Sequence, residues 1–164
     1  VRTKVGYGGG KKENPTYEDL GDHTETLQVE FDPSMISYEE LLKNFFSFHN
    51  PTRQAFSRQY MSVIFYHDDI QKDTAIATRD AFEQEKNIEI ITDIVPFTNF
   101  YLAEFYHQKY YLQANGEAMD YLKDIFKTLQ EFLDSPAITK INGEAPYSER
   151  EGELMERIKR IINS

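Results

Sequence analysis

The chain has 164 residues, a net charge of −10, 40% apolar residues including 12 Phe and 11 Tyr, and no cysteine. That length suits one domain plus an extension, with ample material for a core. The charge argues against a nucleic-acid backbone as partner and the lack of a long apolar run against a membrane span, while the missing cysteines exclude disulfides, thiolate metal sites and thiol catalysis by these residues.

Val1-Arg2-Thr3-Lys4-Val5 already reads as mid-strand, which suggests processing or further sequence upstream. Arg2 to Tyr7 alternates as a strand running into Gly8-Gly9-Gly10, with Val5 and Tyr7 on one face. Three glycines let the backbone turn where a side chain would clash, so the tyrosine entering that turn can be aimed at a cleft. Residues 8–22 form a polar loop. Thr24 to Phe31 is a second strand placing Glu25, Leu27, Val29 and Phe31 on one face. A carboxylate in line with three apolar residues should point inward or into a pocket, where desolvation favours its protonated form; the alternative is a strand end in water.

Ser37-Tyr38-Glu39-Glu40 is a capping box opening a helix to about His49, with Tyr38, Leu41, Leu42, Phe45 and His49 along one face. Pro51 ends it. Gln59 to Tyr66 is apolar on both sides and predicts a central strand containing Tyr60. Asp68 or Asp69 caps a second helix to about Lys86, with Ile70, Ala77 and Ala81 at helical spacing, and Ile88 to Val95 is a further strand stopped by Pro96. This order predicts an α+β, two-layer sandwich with a ferredoxin-like mixed sheet and helices on one face. One strand and one helix before residue 1 would complete two β-α-β halves. The strand so supplied would be central, and the chain without it is expected to be unstable, with unpaired edges.

Residues 97–111 hold seven aromatics and one histidine and are expected to pack rather than form a surface loop. A third helix from about Glu117 carries Met119, Leu122, Phe126, Leu129 and Leu133 as an apolar stripe. Pro136, Gly143 and Pro146 mark residues 134–147 as a linker, and Ser148-Glu149-Arg150-Glu151 is a second capping box before a short charged helix with Leu154, Ile158 and Ile161 inward and Gly152 weakening its first turns. The domain reading is therefore 1–134, with 135–164 as linker and C-terminal helical extension.

Several chemistries lack their residues. The glycines before Lys11-Lys12 miss the spacing and the Lys-Ser/Thr ending of a phosphate loop. His23, His49, His67 and His107 share no short metal-ligand spacing, so no metal is expected, and no Gly-x-Ser-x-Gly is present. What survives is Tyr7, Glu25 and Tyr60: two hydroxyls that can donate to an oxygen, and an acid that can protonate it as it leaves as water. The set lacks an attacking group.

Val5-Gly6-Tyr7-Gly8-Gly9-Gly10, Asn14-Pro15-Thr16-Tyr17-Glu18, Gly21-Asp22-His23-Thr24-Glu25, Ile36-Ser37-Tyr38-Glu39-Glu40-Leu41-Leu42, His49-Asn50-Pro51-Thr52, Gln59-Tyr60-Met61-Ser62, Phe100-Tyr101-Leu102-Ala103-Glu104 and Tyr106-His107-Gln108-Lys109-Tyr110 resemble, in order and spacing, the A-type peptide methionine sulfoxide reductases over residues 1 to about 113. The tail, with Glu131-Phe132-Leu133-Asp134-Ser135 and Lys140-Ile141-Asn142-Gly143, resembles the animal-type branch. The resemblance implies thiol-dependent reduction of the S epimer of methionine sulfoxide, free or in proteins. A cysteine in a Gly-Cys-Phe-Trp-Gly turn attacks the sulfur to give a sulfenic acid that a second thiol reduces.

By the same resemblance Tyr7 and Tyr60 hold the sulfoxide oxygen and Glu25 protonates it, with His23, Tyr101 and His107 as substrate-binding neighbours. It implies no bound cofactor, an external thiol reductant such as thioredoxin, a monomer, and a cytoplasmic location with mitochondria as the alternative. The cysteine turn is expected upstream of Val5, so the 164 residues alone are expected to be inactive. The family's loop acid before the second tyrosine is missing from Arg53-Gln54-Ala55-Phe56-Ser57-Arg58-Gln59-Tyr60, its usual Arg after that tyrosine is Met61, and Phe105 replaces an acid after Glu104. The competing readings are a catalytically inactive sulfoxide-binding relative and a protein-interaction relative.

Overall fold

A computed structural model describes residues 1–148, 150 and 152–163. Its strands are β1 (Arg2–Gly8), β2 (Thr24–Glu30), β3 (Val63–Tyr66), β4 (Asp93–Pro96) and β5 (Phe100–Leu102). Its helices are α1 (Tyr38–Phe48), α2 (Asp69–Lys86), α3 (Tyr110–Gln113), α4 (Gly116–Ile125), α5 (Leu129–Asp134), α6 (Pro136–Glu144) and α7 (Glu153–Ile162). The fold is α+β, as expected. The strands form two sheets rather than one mixed sheet: a three-stranded sheet in the order β2–β1–β5, and a parallel pair β3–β4 with Val63 opposite Asp93 and Tyr66 opposite Pro96. Alternation identifies strands but not their neighbours, and β3, read as central, pairs with β4 alone among the described strands.

Two compact units emerge, residues 1–6, 27–30 and 102–164 in one, 7–26 and 31–101 in the other. In the second, the Ser37 and Glu40 box caps α1 reciprocally, and Asp68 caps α2 by accepting from the Gln71 amide. Leu42 and Phe46 of α1, Ala75 of α2, Ile64 of β3 and Ile90 form its apolar cluster, joined by Phe82. The buried face of α2 is thus Ala75, Thr78 and Phe82 rather than Ile70, Ala77 and Ala81; Ile70 is 79% exposed. Alanines satisfy a helical period on any face, so they did not mark the one that packs. His49 closes α1: its Nδ1–H donates to the Phe45 carbonyl at 2.7 Å, and its Nε2 faces the Ser62 hydroxyl at 2.8 Å, which in turn bonds Thr92.

The first unit is a helical core of Leu112, Ala118, Met119, Leu122, Phe132, Leu133, Ile138, Ile141, Leu154, Met155 and Ile158. The helix expected from Glu117 to Leu133 is two helices, because Phe126 leaves helical geometry and Thr128 with Glu131 forms a fresh capping box. Residues 136–144, expected as linker, are α6. Pro136 occupies its first turn, where a missing N–H costs nothing, and Ser135 caps it. Gly152 is the N-cap of α7 at φ 79°, outside the helix it was expected to weaken. Glu149 and Glu151 of the second expected capping box lie outside the described residues.

β1 is gripped in this unit by side chains. The Gln108 carboxamide accepts from the Val5 amide at 3.0 Å and donates to the Val5 carbonyl at 2.8 Å, as a neighbouring strand would. Lys109, 5% exposed and at φ 50°, donates from Nζ to the carbonyl and hydroxyl of Thr3 and to the Thr139 hydroxyl. Burial, with the charge of Lys4 adding to it, lowers its pKa to about 8.

Candidate functional site

The glycine loop leaves β1 in a shape that side chains would block. Gly9 sits at φ 75° with the Phe65 ring 2.6 Å from where a Cβ would stand, and a Cβ on Gly10 would lie 2.6 Å from the His23 ring. His23, 1% exposed, closes the loop with both ring nitrogens: the Gly10 amide donates to Nδ1 at 3.1 Å and Nε2–H donates to the Lys12 carbonyl at 2.8 Å. The Asp22 carboxylate accepts from the Lys11 and Lys12 amides at 2.8 and 3.2 Å, the Lys11 bond being the chief reason its pKa is lowered. The Gly10, Lys11 and Lys12 amides are therefore occupied by the chain itself. His23, expected to bind substrate, braces the loop in this structure, and the ring of Tyr101 stands edge-on to it at 5.4 Å.

A second turn is clamped onto this loop. Arg58 donates from Nε to the Asp22 carbonyl at 2.5 Å and from a terminal nitrogen to the Gly9 carbonyl at 3.3 Å, and Thr24 donates to the Arg58 carbonyl at 3.0 Å. Residues 58–60 form a 3-10 turn, so Tyr60 precedes β3 rather than lying in a strand from Gln59. The strand pattern extended too far because Tyr60 and Ser62 alternate with Met61 and Val63 whether or not a ladder forms.

This turn brings Tyr60 and Glu25 together. The Tyr60 hydroxyl is hydrogen-bonded to Tyr17, which is the main reason its pKa is raised; burial and then the charges on Tyr17 and Glu25 add to the shift. Gln59 donates to the Glu25 carboxylate at 2.7 Å. Tyr60 and Tyr17 are 45% and 41% exposed, and the Phe56 ring lies 5.2 Å from that of Tyr60. Glu25 is exposed rather than turned inward, as are Leu27 on its face, while Thr24 on the other face is buried. The inward expectation fails because the burial of this strand end is set by Thr24 reaching the Arg58 turn.

Tyr7, at the end of β1, is 2% exposed, so it belongs to the interior while Tyr60 and Glu25 face solvent. His107 lies in the other unit, in a 3-10 turn of residues 105–107, with its ring 4.1 Å from that of Tyr106. Among the described residues no three His, Cys, Asp or Glu side chains are placed to hold a metal. No helix among the described residues is long and apolar enough to cross a membrane. The cluster puts tyrosine hydroxyls and a carboxylate at one solvent-facing spot, groups that can hydrogen-bond an oxygen. Sequence reasoning passed over Tyr17, Gln59 and Arg58, although Tyr17 and Gln59 sit within the quoted motifs.

The peptide methionine sulfoxide reductase family matches residues 1–139. A peptide methionine sulfoxide reductase of Drosophila melanogaster is 43% identical over 145 residues, covering 87% of this chain and 58% of that protein. A peptide methionine sulfoxide reductase MsrA of Methanothermobacter thermautotrophicus is 45% identical over 139 residues, covering 78% and 82%. Among solved structures, reduced Mxr1 from Saccharomyces cerevisiae superposes with a TM-score of 0.61 at 32% identity, covering 69% of this chain and 70% of that one. Methionine sulfoxide reductase A of Corynebacterium diphtheriae gives 0.58 at 28%, covering 70% and 64%. The chain spans less than two thirds of the Drosophila protein and of the MsrA of Methanosarcina mazei, 58% and 65% respectively.

Proposed function

This chain belongs to the peptide methionine sulfoxide reductase family, and from that premise we propose that it carries the oxygen-handling part of a thiol-dependent peptide-methionine (S)-S-oxide reductase. The observation that carries the reading is the solvent-facing set of Tyr60, Tyr17, Glu25 and Gln59, held by the Arg58 clamp. In this proposal the Tyr60 hydroxyl holds the sulfoxide oxygen and Glu25 delivers a proton to it as the sulfur is attacked, while Tyr7, buried in the structure, is kept as the second oxygen-holding residue on resemblance alone. Gln59 positions Glu25. His23, with Tyr101 against its ring, keeps the loop after Tyr7 in shape, and His107 is kept as a substrate-binding candidate on resemblance alone.

Attack on the sulfur needs a thiolate, and the 164 residues contain no cysteine. We assign the nucleophile to a cysteine outside them, which takes the oxygen to become a sulfenic acid while methionine is released. An external dithiol, of the thioredoxin kind, then condenses with the sulfenic acid with loss of water to a mixed disulfide, which its second thiol cleaves, leaving the reductant as a disulfide and the cysteine as a thiol. The chain by itself binds sulfoxide without turning it over. The reductase-like part is placed at 1–134 and the helical extension at 135–164, as a boundary in sequence rather than in packing.

The test is binding of a methionine S-sulfoxide peptide to the 164-residue chain and to Tyr60→Phe, followed by NMR shifts of Tyr and Gln59 side chains. Loss of one charge-free hydrogen bond predicts about fivefold to tenfold weaker binding by Tyr60→Phe. Equal binding of sulfoxide and sulfide peptides by wild type would overturn the reading.

A further inference from the structure

We propose that Phe56 selects the substrate by packing against the side chain next to the oxidised methionine, so that the site prefers peptides in which that neighbour is aromatic or large and apolar. This rests on Tyr60 holding the sulfoxide oxygen.

Phe56 is 88% exposed, more than any other large apolar side chain among the described residues. A single exposed phenylalanine needs no explanation, but this one is not solitary. Its ring lies 5.2 Å from that of Tyr60, tilted by 39°, and Tyr60 is joined by a hydrogen bond to Tyr17. Phe56, Tyr60 and Tyr17 thus form one aromatic surface beside Glu25. The three residues after Phe56 and its neighbour Ser57 form the 3-10 turn, which is tied down by Thr24 to the Arg58 carbonyl and by Arg58 to the carbonyls of Asp22 and Gly9. Phe56 thus stands two residues before a tethered turn, with its ring against that of Tyr60.

Distance supports a neighbouring residue rather than the methionine itself. Successive Cα atoms are about 3.8 Å apart, so with a sulfoxide oxygen on Tyr60 the next side chain comes within ring-packing range of Phe56. The free amino acid has no such side chain. The chemistry of the neighbour follows from what is free to meet it. Arg58 is committed to two carbonyls and the Glu25 carboxylate accepts from Gln59, which leaves the open face of Phe56.

The chain has no tryptophan, so emission excited at the red edge, where its tyrosines do not absorb, reports the tryptophan of a peptide ligand. Titrate the 164-residue chain with two methionine S-sulfoxide peptides of equal composition, one with Trp beside the oxidised methionine and one with Gly there and Trp at the far end. The adjacent-Trp peptide should bind about three- to tenfold tighter with a blue-shifted emission. Phe56→Ala should bring that ratio to near one, and Phe56→Leu should keep part of it. Equal affinities in wild type, a ratio that survives Phe56→Ala, or tighter binding of a Lys-flanked peptide overturns the proposal while Tyr60-dependent binding stands. If no sulfoxide peptide binds in a Tyr60-dependent way, the oxygen-holding reading falls and this one with it.

Discussion

Leu122, Ile138, Ile141 and Ile158 are wholly buried in one apolar cluster of the helical unit, whereas His23, buried to the same degree in the other unit, is held by two hydrogen bonds to loop backbone. The helical cluster gains stability from non-directional burial, tolerates shape-conserving change and carries no chemistry. The glycine loop and Arg58 turn have little to bury and depend on named donors meeting named carbonyls, which fixes direction. Side chains that must aim at a substrate oxygen need direction more than bulk. The two kinds of region should therefore fail differently.

The largest loss should follow Leu122→Ala, which deletes a side chain of 0% exposure from the helical cluster. Urea unfolding followed by circular dichroism should show about 2–5 kcal/mol lost. A loss below that of the loop variants would break the contrast.

Lys109 is the exception within the helical unit, a buried cation tied to three oxygens. Its folded pKa of about 8 lies below the unfolded value of about 10.4. Between those values the unfolded chain holds more protons, so this group makes stability rise with pH across that window, by about 3 kcal/mol at most. Below pH 8 both states are protonated and the contribution is constant. Compared at each pH with Lys109→Met, the wild type should gain from about pH 8 to 10.4. A flat difference would show that the three oxygens hold the ammonium at its ordinary pKa.

His23→Ala should cost about 1–3 kcal/mol, because it leaves the Gly10 amide and Lys12 carbonyl without their ring partners. The distinguishing readout is hydrogen exchange: the Gly10 amide should exchange much faster while amides of α4 and α6 keep their protection. Equal acceleration in both places would mean that the loop is held by the fold at large and not by its histidine.

Much of the secondary structure was legible because its signals are local. The Ser37 and Glu40 box, the Asp68 cap and the alternation of β1 each operate within a few residues. Ser135-Pro136 was an equally local signal for α6, read instead as a break because proline opens a helix as well as ending one. Faces and pairings were not legible. Which side of α2 or β2 is buried depends on what packs there, and the split into two sheets depends on strand neighbours that alternation does not name. At the candidate site the motif resemblance pointed to Tyr60 and Glu25. The Tyr17 hydroxyl and the Arg58 clamp join residues far apart in sequence, and spacing holds no trace of them.

Arg58→Lys should have the smallest effect on stability and still disturb the site. The guanidinium reaches the Asp22 and Gly9 carbonyls at once from a planar fork, and both bonds are exposed to water. An ammonium keeps the charge but not the fork, so one carbonyl returns to water at a cost of about 0.5–1 kcal/mol. Direction suffers more than energy. Without the second bond the turn carrying Gln59 and Tyr60 is tied to the loop through Thr24 and one donor, and the Tyr60 ring gains freedom relative to Glu25. In NMR spectra Gln59 side-chain and Tyr60 ring signals should shift and broaden in Arg58→Lys, while methyl signals of Leu122 and Ile138 stay in place. Unchanged Tyr60 signals would mean that Thr24 alone holds the turn, and the clamp would then be a surface contact with no share in aiming the tyrosine.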